Sequence, residues 1–128
     1  KKKDLDFLKI YMSEKDYSDQ LEVNKILWQK WAEHGIKSND NFKIEFHFIS
    51  ARMKSTNILV SELKKEGFSS NREEIDRKLL IFKKWLVTVP ILKSWTLESL
   101  DEQTLQFCIL ADRLGIVFDG CGAYMPKK

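Results

Sequence analysis

Cysteine is scarce in this sequence: Cys108 and Cys121 are the two present, too few for a disulfide scaffold or a four-ligand zinc site. Proline and glycine are scarce too, at two and five residues, which excludes collagen-like and linker-like chains. No apolar run approaches the roughly 20 residues that span a bilayer. Near residue 1, Asp4, Asp6 and Lys9 interrupt Leu5, Phe7, Leu8 and Ile10, so no secretory signal is read there. Nor is there a large charge of one sign. Lys and Arg number 22 against 19 Asp and Glu, and the resulting +3 is too mild to argue for nucleic acid or membrane. What is present is 128 residues, 43% hydrophobic and 32% charged, enough for one compact domain, expected in a reducing, cytoplasmic compartment.

Residues 1–17 read as an N-terminal extension, open between a helix and an added strand. A single domain over 18–128 follows, with a helix at 18–34 and a core at 42–124. In the helix, Ser18 can cap, Leu21, Leu27, Trp28, Trp31 and Ala32 share one broad face, and Gly35 follows. Val23 and Ile26 fall outside that face. Phe42 to Phe48 alternates with period two, the mark of a strand buried on one side. A helix runs from about Ser50 to Glu66 and stops at Gly67, and Phe68 begins a short strand that gives way to a polar turn near Asn71–Glu74. Leu79–Leu92 reads as a third strand, with Pro90 marking its end or an unpaired edge. Thr96 or Ser99 caps a second long helix to Leu114, Ser99 having capping-box spacing with Glu102. Gly115 closes it and Ile116-Val117-Phe118 opens a fourth strand. The order β-α-β-β-α-β predicts an α+β, ferredoxin-like fold. Two helices lie on one face of a four-stranded antiparallel sheet ordered 4-1-3-2, with Ile44, Phe46 and Phe48 beneath them.

In that frame Phe118-Asp119-Gly120-Cys121-Gly122 resembles the Tyr-Asp-Gly-Trp-Gly signature of the RraB family, bacterial regulators of ribonuclease E activity. The resemblance runs back through His34-Gly35, Ile44 to Phe48, Leu63-Lys64-Lys65-Glu66-Gly67-Phe68, Trp85 to Val89 and Leu110 to Gly115, covering roughly residues 20–124. Cys121 stands where the signature has Trp. The resemblance implies a non-catalytic, protein-binding inhibitor or regulator of a ribonuclease, acting by stoichiometric binding. An immunity protein that neutralises a toxin domain, such as a nuclease, is the alternative reading.

The residues themselves call for no catalysis, no metal and no cofactor. His34 and His47 are isolated, and His47, Asp119 and Cys121 would meet only by accident of folding. Asp119-Gly120-Cys121-Gly122 has the composition of a turn at a strand end, with Gly120 and Gly122 permitting positive φ or a bulge and Asp119 able to accept backbone N–H bonds. Cys121, between two glycines, is the one thiol whose reactivity is worth testing. Cys108 reads as a small core hydrophobe. RNA binding on the sheet would require a glycine and aromatics in Phe82-Lys83-Lys84-Trp85-Leu86-Val87 that are not there, and Glu73, Glu74 and Asp76 dilute the basic group Arg77, Lys78, Lys83 and Lys84. Direct binding of nucleic acid or membrane is therefore not expected. A protein partner is, with a homodimer as a further option. On the second long helix, Leu100, Thr104, Phe107, Ala111 and Leu114 point inward with Cys108 at the margin, which leaves Leu105 and Ile109 toward the opposite side. Ile58 is similarly placed on the preceding helix. With Asp119 and Cys121 these are the candidate partner residues, unless residues 5–17 or the two-tryptophan helix cover the pair.

Overall fold

The computed structural model describes residues 17–75 and 84–123. In chain order they form α1 (Ser18–Glu33), β1 (Asn41–Ser50), α2 (Met53–Lys65), β2 (Asn71–Ile75), β3 (Lys84–Ser94), α3 (Leu97–Leu114) and β4 (Val117–Ala123). The strands make one antiparallel sheet in the order β2-β3-β1-β4, the expected order read from the other edge. This is an α+β fold with an N-terminal helix. The expectation for residues 1–16 lies outside the described residues.

Period-two alternation sets the register. Phe42, Ile44, Phe46 and Phe48 are buried, and their cross-strand partners on β3 include Val87 and Val89, buried as well. Phe107 of α3 sits against Phe46, Phe48 and Phe68, with ring centroids 5.2, 5.3 and 5.4 Å away, all edge-to-face. At one end of the core Trp28 and Trp31 of α1 close over Phe42. The helices thus lie on the face of the sheet that carries the phenylalanines.

Each helix ends by one device. The N–H groups of Ile36, Phe68 and Ile116 return to the carbonyls of Trp31, Leu63 and Ala111, six residues spanning each closure. The residue before each is glycine. At Gly115, φ is 70°, a conformation that costs other L-residues about 1 kcal/mol or more.

Four local expectations need correction. The stretch read as a turn, Asn71–Glu74, is strand β2 itself; its burial pattern is exposed except at Ile75, so no alternation announces it. Strand β3 does not end at Pro90 but continues to Ser94, paired with β1 throughout. The open edge inferred from the proline is nevertheless there, because β2 reaches only as far as Thr88. The capping box joins Thr96 and Ser99 rather than Ser99 and Glu102: the Ser99 N–H donates to Thr96 Oγ1 at 3.0 Å and the Thr96 N–H to Ser99 Oγ at 2.9 Å. Tyr17, not Ser18, takes the N-cap position of α1.

The N-terminal helix α1 runs antiparallel along α3. Near its middle Asn24 bonds to Asp101 and Thr104, and at its start the Tyr17 hydroxyl bonds to Asp112. Leu105, Cys108 and Ile109 lie along α3 between these bonds and are 6%, 5% and 4% exposed. The pair Leu105 and Ile109 is therefore packed within the chain, not a solvated stripe. A helix sandwiched between sheet and helix needs two apolar sides, and periodicity for one face counts the second as surplus.

Candidate functional site

Of the two readings of the glycine motif, the bulge holds: it lies inside β4 rather than in a turn after it. Phe118 opposes Phe48 and Cys121 opposes Phe46, so three residue steps on β4 match two on β1. Gly120 absorbs the extra residue at φ 97°, while Gly122 has no positive φ. The bulge places Phe118 and Cys121 on the same face, both packed on the core, and leaves Asp119 exposed. No hydrogen bond to the Asp119 carboxylate occurs among the described residues, so the expected cap of backbone N–H groups is not what this residue provides.

This geometry settles the thiols. Cys121 is half-buried and turned toward the helices, and desolvation pushes it up to about 12. Cys108 is pushed up to about 12 by its own burial and then by Asp112 nearby. Both stay protonated at neutral pH, so Cys121 is not the reactive exposed thiol that its glycine neighbours suggested. His47 occupies the other face of the sheet, where its Nδ1 lies 3.3 Å from Thr88 Oγ1. Sheet and backbone separate it from Cys121, and the two cannot act as a pair. His34 ends α1 with Nδ1 on the Lys30 carbonyl at 2.8 Å, a local cap.

The face of the sheet away from the helices was not singled out from sequence. By register it carries Lys43, Glu45, His47 and Ile49 from β1 and Lys84, Leu86, Thr88, Pro90 and Leu92 from β3. Val117 and Gly122 join from β4, and Asn71, Glu73 and Ile75 from β2. Ile49 is the direct partner of both Leu86 and Val117, and Glu73 of Leu86, which makes one row across four strands: Val117, Ile49, Leu86, Glu73. Val117 is 62% exposed and Leu92 67%. The available signal was an apolar residue on the wrong parity: Ile49 directly after Phe48, and Leu86 between Trp85 and Val87. Among the described residues this face holds no Phe, Tyr or Trp side chain, since the phenylalanines of β1 and Phe118 all turn inward, and His47 is its one aromatic ring. A single imidazole is a poor stacking platform for successive bases.

The remaining candidates scatter. Ile58 is 40% exposed on α2, on the helix side. Asp119 borders the outer face. Arg77, Lys78 and Lys83 of the basic group lie outside the described residues. An open cleft at the start of α2, lined by Ser50, Ala51, Arg52, Ser55, Leu114 and Gly115, has its buried hydroxyl committed: Ser50 Oγ donates to the Arg52 carbonyl at 3.0 Å. Among the described residues no group of His, Cys, Asp and Glu could hold a metal ion, and no helix is long and apolar enough to cross a membrane.

No curated protein matches the chain. The family model described as regulator of ribonuclease activity B, RraB, matches residues 21–123, from the first turn of α1 to the last residue of β4. With four-fifths of its length matched, and with the β4 bulge built from the same residues that carry the likeness, this chain belongs to the RraB family.

Proposed function

We propose that the chain is a non-catalytic inhibitor of a ribonuclease that acts by stoichiometric protein binding. The observation that carries this reading is the RraB match, which takes in every described helix and strand rather than an isolated motif. The open apolar row on the sheet supports it, because it offers a contact surface without chemical groups poised to react. Titration of the chain into ribonuclease E from the same organism tests it. RNA cleavage should fall linearly to an end point near one copy per nuclease chain, and both proteins should keep their intact masses. Unchanged cleavage at excess chain overturns the reading, as does inhibition that persists at strongly substoichiometric dose or a mass change in either protein.

A further inference from the structure

Arg52 and Lys54 stand at the end of α2 where a helix favours the opposite charge. First-turn N–H groups carry partial positive charge, which Asp or Glu stabilises and Arg or Lys opposes. Arg52 is the N-cap residue of α2 and Lys54 its second residue, both exposed; the first turn holds no acidic residue. The two cations cost the helix stability, so the fold does not account for them. Nor are they neutralised within the chain. The ion pairs among the described residues, Glu22 with Lys25 and Glu62 with Lys65, involve neither. At this end of the fold Asp112 accepts the Tyr17 hydroxyl, and Glu74, in one row with Trp85 and Ser50, has an interaction of its own. Arg113, exposed in the last turn of α3, adds a third cation.

The cleft at this end is the second observation. Arg52 lines it together with Ser50, Ala51, Ser55, Leu114 and Gly115, and its volume is about 250 Å³. Pockets that enclose a cofactor or a drug-sized ligand run to roughly 300–1,000 Å³, so this one suits a side chain of another protein better. None of its lining residues is aromatic, which gives a nucleic-acid base nothing to stack on. Ile58, 40% exposed, follows Ser55 by three residues, on the same flank of α2, and lends the cleft an apolar rim. We propose that the cleft receives an acidic segment of the protein partner. One Asp or Glu of the segment enters beside Arg52 at the start of α2, and neighbouring carboxylates meet Lys54 and Arg113. This rests on the protein-binding reading above and adds the place and the chemistry of the contact.

Two probes test the proposal: ribonuclease E from the same organism, and a short capped peptide of Glu and Ala with its Lys and Ala counterpart. The Glu/Ala peptide should shift amide resonances of residues 51–55 and of Gly115, and the Lys/Ala peptide should not. The double variant Arg52→Glu with Lys54→Glu should weaken ribonuclease and Glu/Ala peptide roughly tenfold or more. Its melting temperature should hold or rise, because the new charges suit the start of a helix. Lys30→Glu makes the same change of sign on α1, at the other end of β1 where Trp31 meets Phe42, and should leave both affinities within about twofold. If ribonuclease binds wild type and the double variant equally, the proposal falls while the regulatory reading stands. If ribonuclease does not bind but the Glu/Ala peptide binds the cleft and responds to the variant, the regulatory reading falls and the assignment of the cleft stands. A cleft that ignores the Glu/Ala peptide, or prefers a single-stranded RNA oligonucleotide to it, overturns the proposal.

Discussion

Asn24 of α1 donates to Asp101 Oδ1 of α3 at 3.0 Å, and the same amide donates to Thr104 Oγ1 at 3.0 Å. One side chain thus joins two positions a turn apart on the neighbouring helix. The cost falls on the carboxylate. Burial raises Asp101 above its ordinary 3.8, and the Asn24 amide and the Lys25 charge offset only part of that.

The sign of the pH effect follows. A carboxyl whose folded value lies above its unfolded one contributes stability below the unfolded value and loses it as pH rises through the folded value. Asp101→Asn keeps an acceptor for Asn24 and cannot ionise. Its melting temperature should exceed that of wild type at pH 7, and the advantage should vanish below the ordinary 3.8. Melting curves across that range, followed by circular dichroism, decide it; a constant gap assigns the effect to something other than ionisation.

Asn24→Ala strands Thr104, which is fully buried, without its donor from α1. The loss should be about 1–3 kcal/mol in urea unfolding. Asn24→Asp should be worse at neutral pH than at acid pH, because it sets a second carboxylate against Asp101.

The two glycines of β4 should respond in opposite ways. Gly120→Ala forces a Cβ into φ 97° and should cost about 1 kcal/mol or more. Gly122→Ala meets open space at an ordinary φ and should be neutral or stabilising by about 0.5–1 kcal/mol. Denaturant midpoints of the two variants measure the contrast.

Neither thiol should alkylate readily in the folded protein. With Cys108 and Cys121 both near 12, iodoacetamide at pH 8 should label the native chain slowly at both sites and the urea-unfolded chain at both quickly. Rapid native labelling of Cys121 would show that its side chain leaves the core face.

Replacing Leu105 and Ile109 together by Lys places two charges at buried positions on α3. The variant should lose several kcal/mol, enough to unfold a domain of this size at ordinary temperature. An unchanged melt would return this pair to the list of surface contacts.

Much of the fold was legible because its signals are local and redundant. The alternation of Phe42, Ile44, Phe46 and Phe48 gave β1 and its buried face, and the pairs Gly35-Ile36, Gly67-Phe68 and Gly115-Ile116 gave the helix ends. The misses share a cause in tertiary context. Strand β2 is wet on both faces and has no pattern to show, so Asn71–Glu74 read as a turn. Leu105 and Ile109 looked exposed because periodicity assigned α3 one buried face, whereas burial extends beyond it to both residues. The bulge in β4 was half legible. Gly120 signalled an irregularity, but only pairing with β1 shows that the extra residue turns Cys121 inward and leaves Asp119 out. The outer face escaped notice because Ile49, Leu86 and Val117 are far apart in the chain and neighbours only in the sheet.

The mismatch in length between β2 and β3 has a bearing on how copies of this chain behave when crowded. Beyond Thr88, β3 runs on to Ser94 without a second strand partner among the described residues, and such a ledge can recruit a strand from another molecule and seed fibrous aggregates. Pro90 falls within that ledge and has no N–H to offer an incoming strand. The residue that looked from sequence like the end of a strand thus works as a gatekeeper partway along it. A Pro90→Val chain would keep its fold yet form thioflavin-positive deposits at concentrations where the parent stays clear.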